Sequence, residues 1–167
     1  MTAAAGARPI EVFIADYRNA AHAAALVDLL NAYASDPAGG GTPLAREVLA
    51  SLPSALAARP QAFSVLAYEG EQPVGLINCI EGFSTFACKP LVNVHDVVVL
   101  PSHRGQRVAQ KMFASVEDEA RRRGACKLTL EVLSGNAPAL RAYEREGFAG
   151  YQLDPSFGTA VFLQKKL

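Results

Sequence analysis

The stretch Leu100-Pro-Ser-His-Arg-Gly-Gln-Arg-Val-Ala109 joins an apolar run to an amphipathic one, and its reading decides the fold. Before it, LVNVHDVVVL (residues 91–100) has the β-branched, largely apolar character of a strand. After it, Val108, Met112, Val116 and Ala120 recur at every fourth position. That spacing predicts a helix from about Gly105 to Arg123, with Gly124 as its C-terminal stop. A tight turn that opens a helix leaves several main-chain N–H groups without internal partners, all pointing one way. With the helix dipole they favour a phosphate or pyrophosphate, and Arg104 adds a charge-assisted donor. An ordinary strand–helix turn has the same outline. The chain contains neither Gly-x-x-x-x-Gly-Lys-Ser/Thr nor Gly-x-Gly-x-x-Gly, which disfavours an ATPase or a dinucleotide-dependent oxidoreductase.

Toward the N-terminus, residues 10–15 (IEVFIA) read as a strand, after a short flexible segment over residues 1–9. Leu26, Val27, Leu29, Leu30 and Tyr33 then recur at helical spacing until the turn-rich SDPAGGGTP of residues 35–43. A second helix is expected from Thr42 as N-cap and Pro43 as first residue, turning Leu44, Val48, Leu52 and Leu56 inward, with Pro53 as a possible kink. FSVLAY (63–68) and VGLINCI (74–80) flank the turn EGEQP and predict a hairpin. Beyond Gly124 come a strand at 126–133, a helix at about 137–146 ended by Gly147, and two strands near 148–153 and 159–165. This order gives an α/β fold with helices on both faces of a mixed, mostly antiparallel, twisted sheet of six to seven strands, in one domain over residues 10–167.

At 167 residues the chain is long enough to bury about two thirds of its unfolded surface. A formal net charge of zero offers no sign of a nucleic-acid binder. No apolar run is long enough to span a bilayer and no secretion signal is evident, so the expected setting is the cytoplasm, without a membrane partner. The three cysteines, Cys79, Cys88 and Cys126, include no Cys-x-x-Cys pair, which argues against a zinc site or a disulfide framework. They are expected to be reduced thiols acting as small hydrophobes, and Cys126 a buried inert one rather than an acyl acceptor. Residues 11–100 carry four basic against nine acidic side chains, and residues 101–127 seven basic against three acidic. A split of that kind suits an anionic ligand on one side and a cationic one on the other; solvated faces are the plainer account.

The run from Arg104 to Ala109 resembles the Arg/Gln-x-x-Gly-x-Gly/Ala signature of the GNAT family of N-acetyltransferases, and Val99, Pro101, Arg104 and Gly105 are similar to the pattern that precedes it there. Asn136-Ala-Pro-Ala-Leu-Arg-Ala-Tyr143, with Gly147 and Phe148 beyond, resembles the family's later Asn…Tyr…Gly-Phe segment at matching spacing. The stretch Phe83 to Val99 is similar to the diamine acetyltransferase-like branch, which has a carboxylate where His95 stands. Arg107 occupies the family's middle glycine. If that position needs positive φ the side chain crowds a phosphate; if it lies in the first helical turn, arginine fits, and this second arrangement is the one expected.

The resemblance implies the GNAT fold, acetyl-CoA as cosubstrate, no metal, and transfer of acetyl to a primary amine of a small molecule in a ternary complex. It implies that Val97, Val98 and Val99 offer main-chain groups to the pantetheine arm, with one N–H facing the thioester oxygen. Arg104, Gly105, Gln106, Arg107, Val108, Ala109 and Gln110 would hold the diphosphate, with Asn136 and Ala139 also touching the cofactor. Tyr143 would protonate the departing thiolate as general acid; a core role is the plain reading of a tyrosine beside Leu140 and Phe148. His95 is the candidate base, directly or through water, and its alternative is a histidine satisfied by backbone in the sheet. As neighbours on a strand, His95 and Asp96 are expected to face opposite sides, leaving Asp96 a structural role. Asp36, in the glycine-rich loop, and Glu81 are candidate contacts for the acceptor, or ordinary surface carboxylates. A homodimer is plausible. The competing readings are a non-catalytic acyl-CoA-binding module of the same fold and a phosphate-binding α/β protein unrelated to CoA.

Overall fold

A computed structural model describes residues 8–151 and 154–167; the N-terminal segment read as flexible falls mostly outside the described residues. Residues 1–130 and 131–167 form two compact units. The first carries β1 (Ile10–Ile14), α1 (Ala20–Ser35), α2 (Arg46–Ala57), β2 (Ala62–Glu69), β3 (Gln72–Ser84), β4 (Lys89–Val99), α3 (Val108–Arg122) and β5 (Leu128–Leu130). The strands lie in the order β1-β2-β3-β4-β5, antiparallel through β4, with β5 parallel to β4. Hairpins need only a tight turn, and Gly70 supplies it at φ 62°; the parallel step needs a crossover, which α3 provides.

Two apolar layers sandwich the sheet. On one face Ala25, Leu26 and Leu29 of α1 pack on Leu66, Leu76 and Val98, with Leu52 and Leu56 of α2 closing over them. On the other lies α3, whose Val108, Met112, Val116 and Ala120 are all buried, as their four-residue spacing requires. The approach is close at Gly75, where a Cβ would stand 2.8 Å from the Met112 methyl.

Three expectations need correction. The helix α2 begins at Arg46, not at Pro43, because the preceding chain is tied to the end of α1: the Thr42 N–H donates to the Ala34 carbonyl and the Leu44 N–H to Asn31 Oδ1, at 3.0 and 2.9 Å. Val48 is correspondingly 42 % exposed, while the helix runs through Pro53 without a break. Among the described residues the sheet has five strands, not six to seven. Gln152 and Leu153 lie outside the described residues; the expected last strand, 159–165, is irregular, and its Val161, Phe162 and Leu163 are 75, 76 and 83 % exposed, so no packed face holds the segment extended. Cys79 is buried as expected, but Cys88 and Cys126 are exposed, so Cys126 is not a buried thiol.

The second unit contains α4 (Ala137–Arg145) and a single turn at Pro155–Phe157. Asn136 caps α4, its side-chain oxygen accepting from the Ala139 N–H at 3.3 Å. Gly147 ends the helix at φ 88°.

Candidate functional site

The β4–β5 ladder stops early. Its pairs are Val92 with Leu128, Asn93 with Thr129 and Val94 with Leu130. Beyond Val94, no described strand pairs with that side of β4, while the β3 side continues to Val99. The Leu100 N–H donates to the Val74 carbonyl at 2.9 Å, and antiparallel main-chain bonds alternate from there. Val98 and Asp96 therefore turn their N–H and C=O groups toward β3, whereas Val97 and Val99 turn theirs to the open side. The Val99 carbonyl is met there by Arg104 Nε at 3.2 Å. Of the three valines expected to offer main-chain groups to a ligand, Val97 and Val99 turn theirs to the open side and Val98 does not.

At the point where β5 ends, β4 is irregular. Asn78 pairs with Asp96 and Cys79 with Val94, so His95 is an extra residue, a β-bulge. The bulge cancels the alternation on which the two side chains were placed on opposite faces. Asp96 accepts from Asn78 Nδ2 at 3.0 Å, and His95 Nδ1 is hydrogen-bonded to Asn93 Oδ1; Asn93, opposite Ile80, lies on the same side as Asn78. His95 and Asp96 thus share the α1 face. His95 is exposed and Asp96 partly buried.

Behind Asp96 runs a line of polar side chains across three strands. Ser64 Oγ donates to Asn78 Oδ1 at 2.6 Å, and Tyr17 OH lies 2.9 Å from Ser64 Oγ. Since Ser64 spends its only proton on Asn78, Tyr17 is the donor in that second bond. Ser64 is fully buried and Asn78 nearly so. Burial raises the Tyr17 phenol above its usual range, partly offset by its bond to Ser64. Tyr33 is raised by burial and then by the negative charges of Asp96 and Asp36. Sequence reasoning passed over Ser64 and Asn78; a serine and an asparagine in mid-strand among apolar residues are the signal that could have found them.

The turn after β4 begins with a tight helical turn at Pro101–His103 and an extended Arg104. Gly105 and Arg107 follow at φ 79° and 62°. Arg107 precedes α3 in the left-handed conformation, so it does not lie in the first helical turn as expected. The first bond of α3 is Lys111 N–H to the Arg107 carbonyl, which leaves the N–H groups of Val108, Ala109 and Gln110 without intrahelical acceptors. Val108 itself points its side chain into the core, whereas Gln106 Nε2 donates to the Ser102 carbonyl at 3.0 Å. His103, which sequence reasoning passed over, fastens this turn: it is buried, with Nε2 3.0 Å from Glu69 at the end of β2 and Nδ1 2.8 Å from Ser102 Oγ. With its proton on Nε2 it donates to Glu69 and accepts from Ser102, so both ring nitrogens are used.

The two acceptor-side candidates each have an arginine partner. The Asp36 carboxylate accepts from the Ala38 N–H at 2.9 Å and sits 3.5 Å from Arg104 Nη2, so it faces the cationic turn. Glu81 lies on the α3 face, 3.0 Å from Arg123 Nη1; Arg123 also reaches Glu119 at 2.7 Å and covers the Phe63 ring at 4.6 Å. In the second unit, Tyr143 meets Phe148 edge-on at 6.1 Å between ring centroids. Among the described residues no group of three or more His, Cys, Asp or Glu is placed to hold a metal, and no helix is long and apolar enough to cross a membrane.

The model of the acetyltransferase (GNAT) family matches residues 24–148. A streptothricin acetyltransferase from Streptomyces lavendulae is 39 % identical over 92 residues, covering 52 % of this chain and 49 % of its own length. An aminoalkylphosphonate N-acetyltransferase from Salmonella typhimurium is 32 % identical over 83 residues, covering 50 % and 54 %. The chain thus spans about half the length of the curated relatives it matches. Among solved structures, an aminoglycoside N-acetyltransferase in complex with CoA superposes with a TM-score of 0.72 at 15 % identity, over 95 % of this chain and 96 % of that one. At that identity the likeness concerns the fold alone.

Proposed function

The chain belongs to the acetyltransferase (GNAT) family, and from that premise we propose that it transfers acetyl from acetyl-CoA to a primary amine of a small molecule. The observation that supports this most is the open side of β4 running directly into the helix-opening turn. Val97 and Val99 offer main-chain donors and acceptors along a line that leads to the free N–H groups of Val108, Ala109 and Gln110. An extended arm bearing amides and ending in a diphosphate has that pattern of complementary groups. Acetyl-CoA supplies the activated thioester. Arg104, Gly105, Gln106 and Arg107 complete the anion-binding turn, and Asn136 and Ala139 are proposed as further contacts.

The chemistry asks for one proton to leave the attacking nitrogen and one to reach the departing sulfur. His95, held by Asn93 on the α1 face, is proposed to take the first. Tyr143 is proposed to give the second. The nitrogen–carbon bond forms as the carbon–sulfur bond breaks, and no net proton is left on either residue after exchange with solvent. The likeness of Phe83–Val99 to the diamine acetyltransferase-like branch keeps a polyamine among the acceptors to be tried, beside the streptothricin, aminoalkylphosphonate and aminoglycoside chemistries of the relatives.

The test pairs calorimetric titration with acetyl-CoA and a thiol-release assay over putrescine, aminomethylphosphonate and kanamycin. Binding together with amine-dependent CoA release, lost in Tyr143→Phe, is the expected result. Binding without release points to the non-catalytic module instead, and an absence of binding overturns both.

A further inference from the structure

Asp96 is a carboxylate built into the α1 face with no cation to match it. Among the described residues no lysine, arginine or histidine lies within ion-pair distance of it, although such contacts occur elsewhere in the fold. Leaving a partly buried charge unmatched is costly, and so is the line of buried polar groups that leads to it. Yet that line is ordered toward Asp96. Tyr17 donates to Ser64, Ser64 to the Asn78 oxygen, and the Asn78 amide then donates to Asp96 Oδ2. Each bond polarises the next in the same sense, so the array fixes the carboxylate's orientation. Oδ2 is occupied by Asn78, while Oδ1 has no such partner among the described residues.

The surroundings add to the demand for positive charge. Tyr33, whose phenol feels the negative charges of Asp96 and Asp36, lies in the last turn of α1, which contains no basic residue of its own. The Arg104 guanidinium is drawn to Asp36 and the Val99 carbonyl. The bulge at His95 then brings an imidazole to the same face, one residue from the carboxylate and next to the open stretch of β4.

We infer that Asp96 is the anchor for the ammonium group of the acceptor, held in place by Asn78, Ser64 and Tyr17 as positioning residues. The inference rests on the acetyltransferase reading and extends it: the acceptor binds as a cation against Asp96 before His95 removes a proton. Asp96 binds, and His95 exchanges the proton.

The experiment uses the full chain and whichever amine of the panel is turned over fastest. Asp96→Asn keeps an oxygen for the Asn78 amide and removes only the charge. It is expected to raise KM for the amine about ten-fold or more, to leave kcat within about three-fold, and to leave acetyl-CoA affinity unchanged. An unmoved KM, or a loss confined to kcat, overturns the anchor while the acetyltransferase reading survives. A wild-type protein that binds no acetyl-CoA or acetylates no amine overturns both. A second measurement needs no variant: choline, a cation that cannot be acetylated on nitrogen, should compete with the amine about ten-fold better than its uncharged carbon isostere neohexanol. Equal inhibition by the two overturns the proposal.

Discussion

Arg104 and Asp36 meet at 3.5 Å, linking the turn after β4 to the end of α1. Both side chains are accessible, 60 and 34 % exposed, so water screens the pair and its contribution to folding is small. Asp36→Asn keeps an oxygen for the Ala38 N–H and should change unfolding free energy by less than about 0.5 kcal/mol in urea titration. The same substitution removes a competitor for the guanidinium. Acetyl-CoA affinity should rise about two-fold in the Asp36 variant and fall about ten-fold in Arg104→Ala, both by calorimetry.

Arg107 holds a left-handed conformation at φ 62°, which costs a side-chain-bearing residue about 1 kcal/mol or more. Arg107→Gly removes that strain and adds chain entropy to the unfolded state. The balance should be a gain of about 0.5 kcal/mol, whereas Arg107→Val should lose about 1–2 kcal/mol, both read from denaturation midpoints. A glycine variant less stable than wild type would show that the guanidinium does more for the fold than its backbone costs.

Glu119 is nearly buried and is gripped by two arginines, Arg122 at 2.6 Å and Arg123 at 2.7 Å. The hydrogen bonds from Arg122 lead in holding its carboxyl below the ordinary value, against the opposing effect of burial. A carboxyl depressed in the folded state stabilises above its unfolded pKa and loses that contribution as pH falls through the folded one. Glu119→Gln should therefore cost about 1–3 kcal/mol near neutrality. The gap to wild type should narrow steadily below the unfolded carboxyl range, near pH 4.5, in melts taken from pH 7 downward.

Burial pushes the Cys79 thiol up to about 12, with Arg123 opposing the shift and Asp96 reinforcing it. Cys88 and Cys126 are exposed. A chromogenic disulfide reagent at pH 8 should titrate two thiols quickly in the native protein and the third only on unfolding. Fast reaction of all three would mean that β3 opens far more readily than its packing suggests.

How much of this was legible in the sequence depends on the range of the interaction involved. Four-residue spacing from Val108 to Ala120 fixed both the existence and the buried side of α3, because a helix packs by its own period. The hairpin over Phe63–Ile80 and the caps at Asn136 and Gly147 are equally local in origin. The bulge is different. Nothing in Val94-His95-Asp96-Val97 marks an extra residue; it emerges from the register with Cys79 and Asn78, and it reversed the expected facing of Asp96. The arginine partners of Asp36 and Glu81 were not legible, because Arg104 and Arg123 lie far along the chain from them. Arg107 was judged by its side chain, whereas the turn had already set its backbone. The last strand was inferred from apolar content over 159–165, but a strand also needs a neighbour to bond with.

The early end of the β4–β5 ladder also divides one strand into amides of two kinds. Those of Asp96 and Val98 are locked against β3, while those of Val97 and Val99 look outward. In deuterated solvent the outward pair should exchange quickly and their immediate neighbours slowly, an odd–even pattern along a few consecutive residues. A ligand that lies in the gap as a surrogate strand would silence only the fast pair, so its presence can be read from two peptide groups before any product is formed.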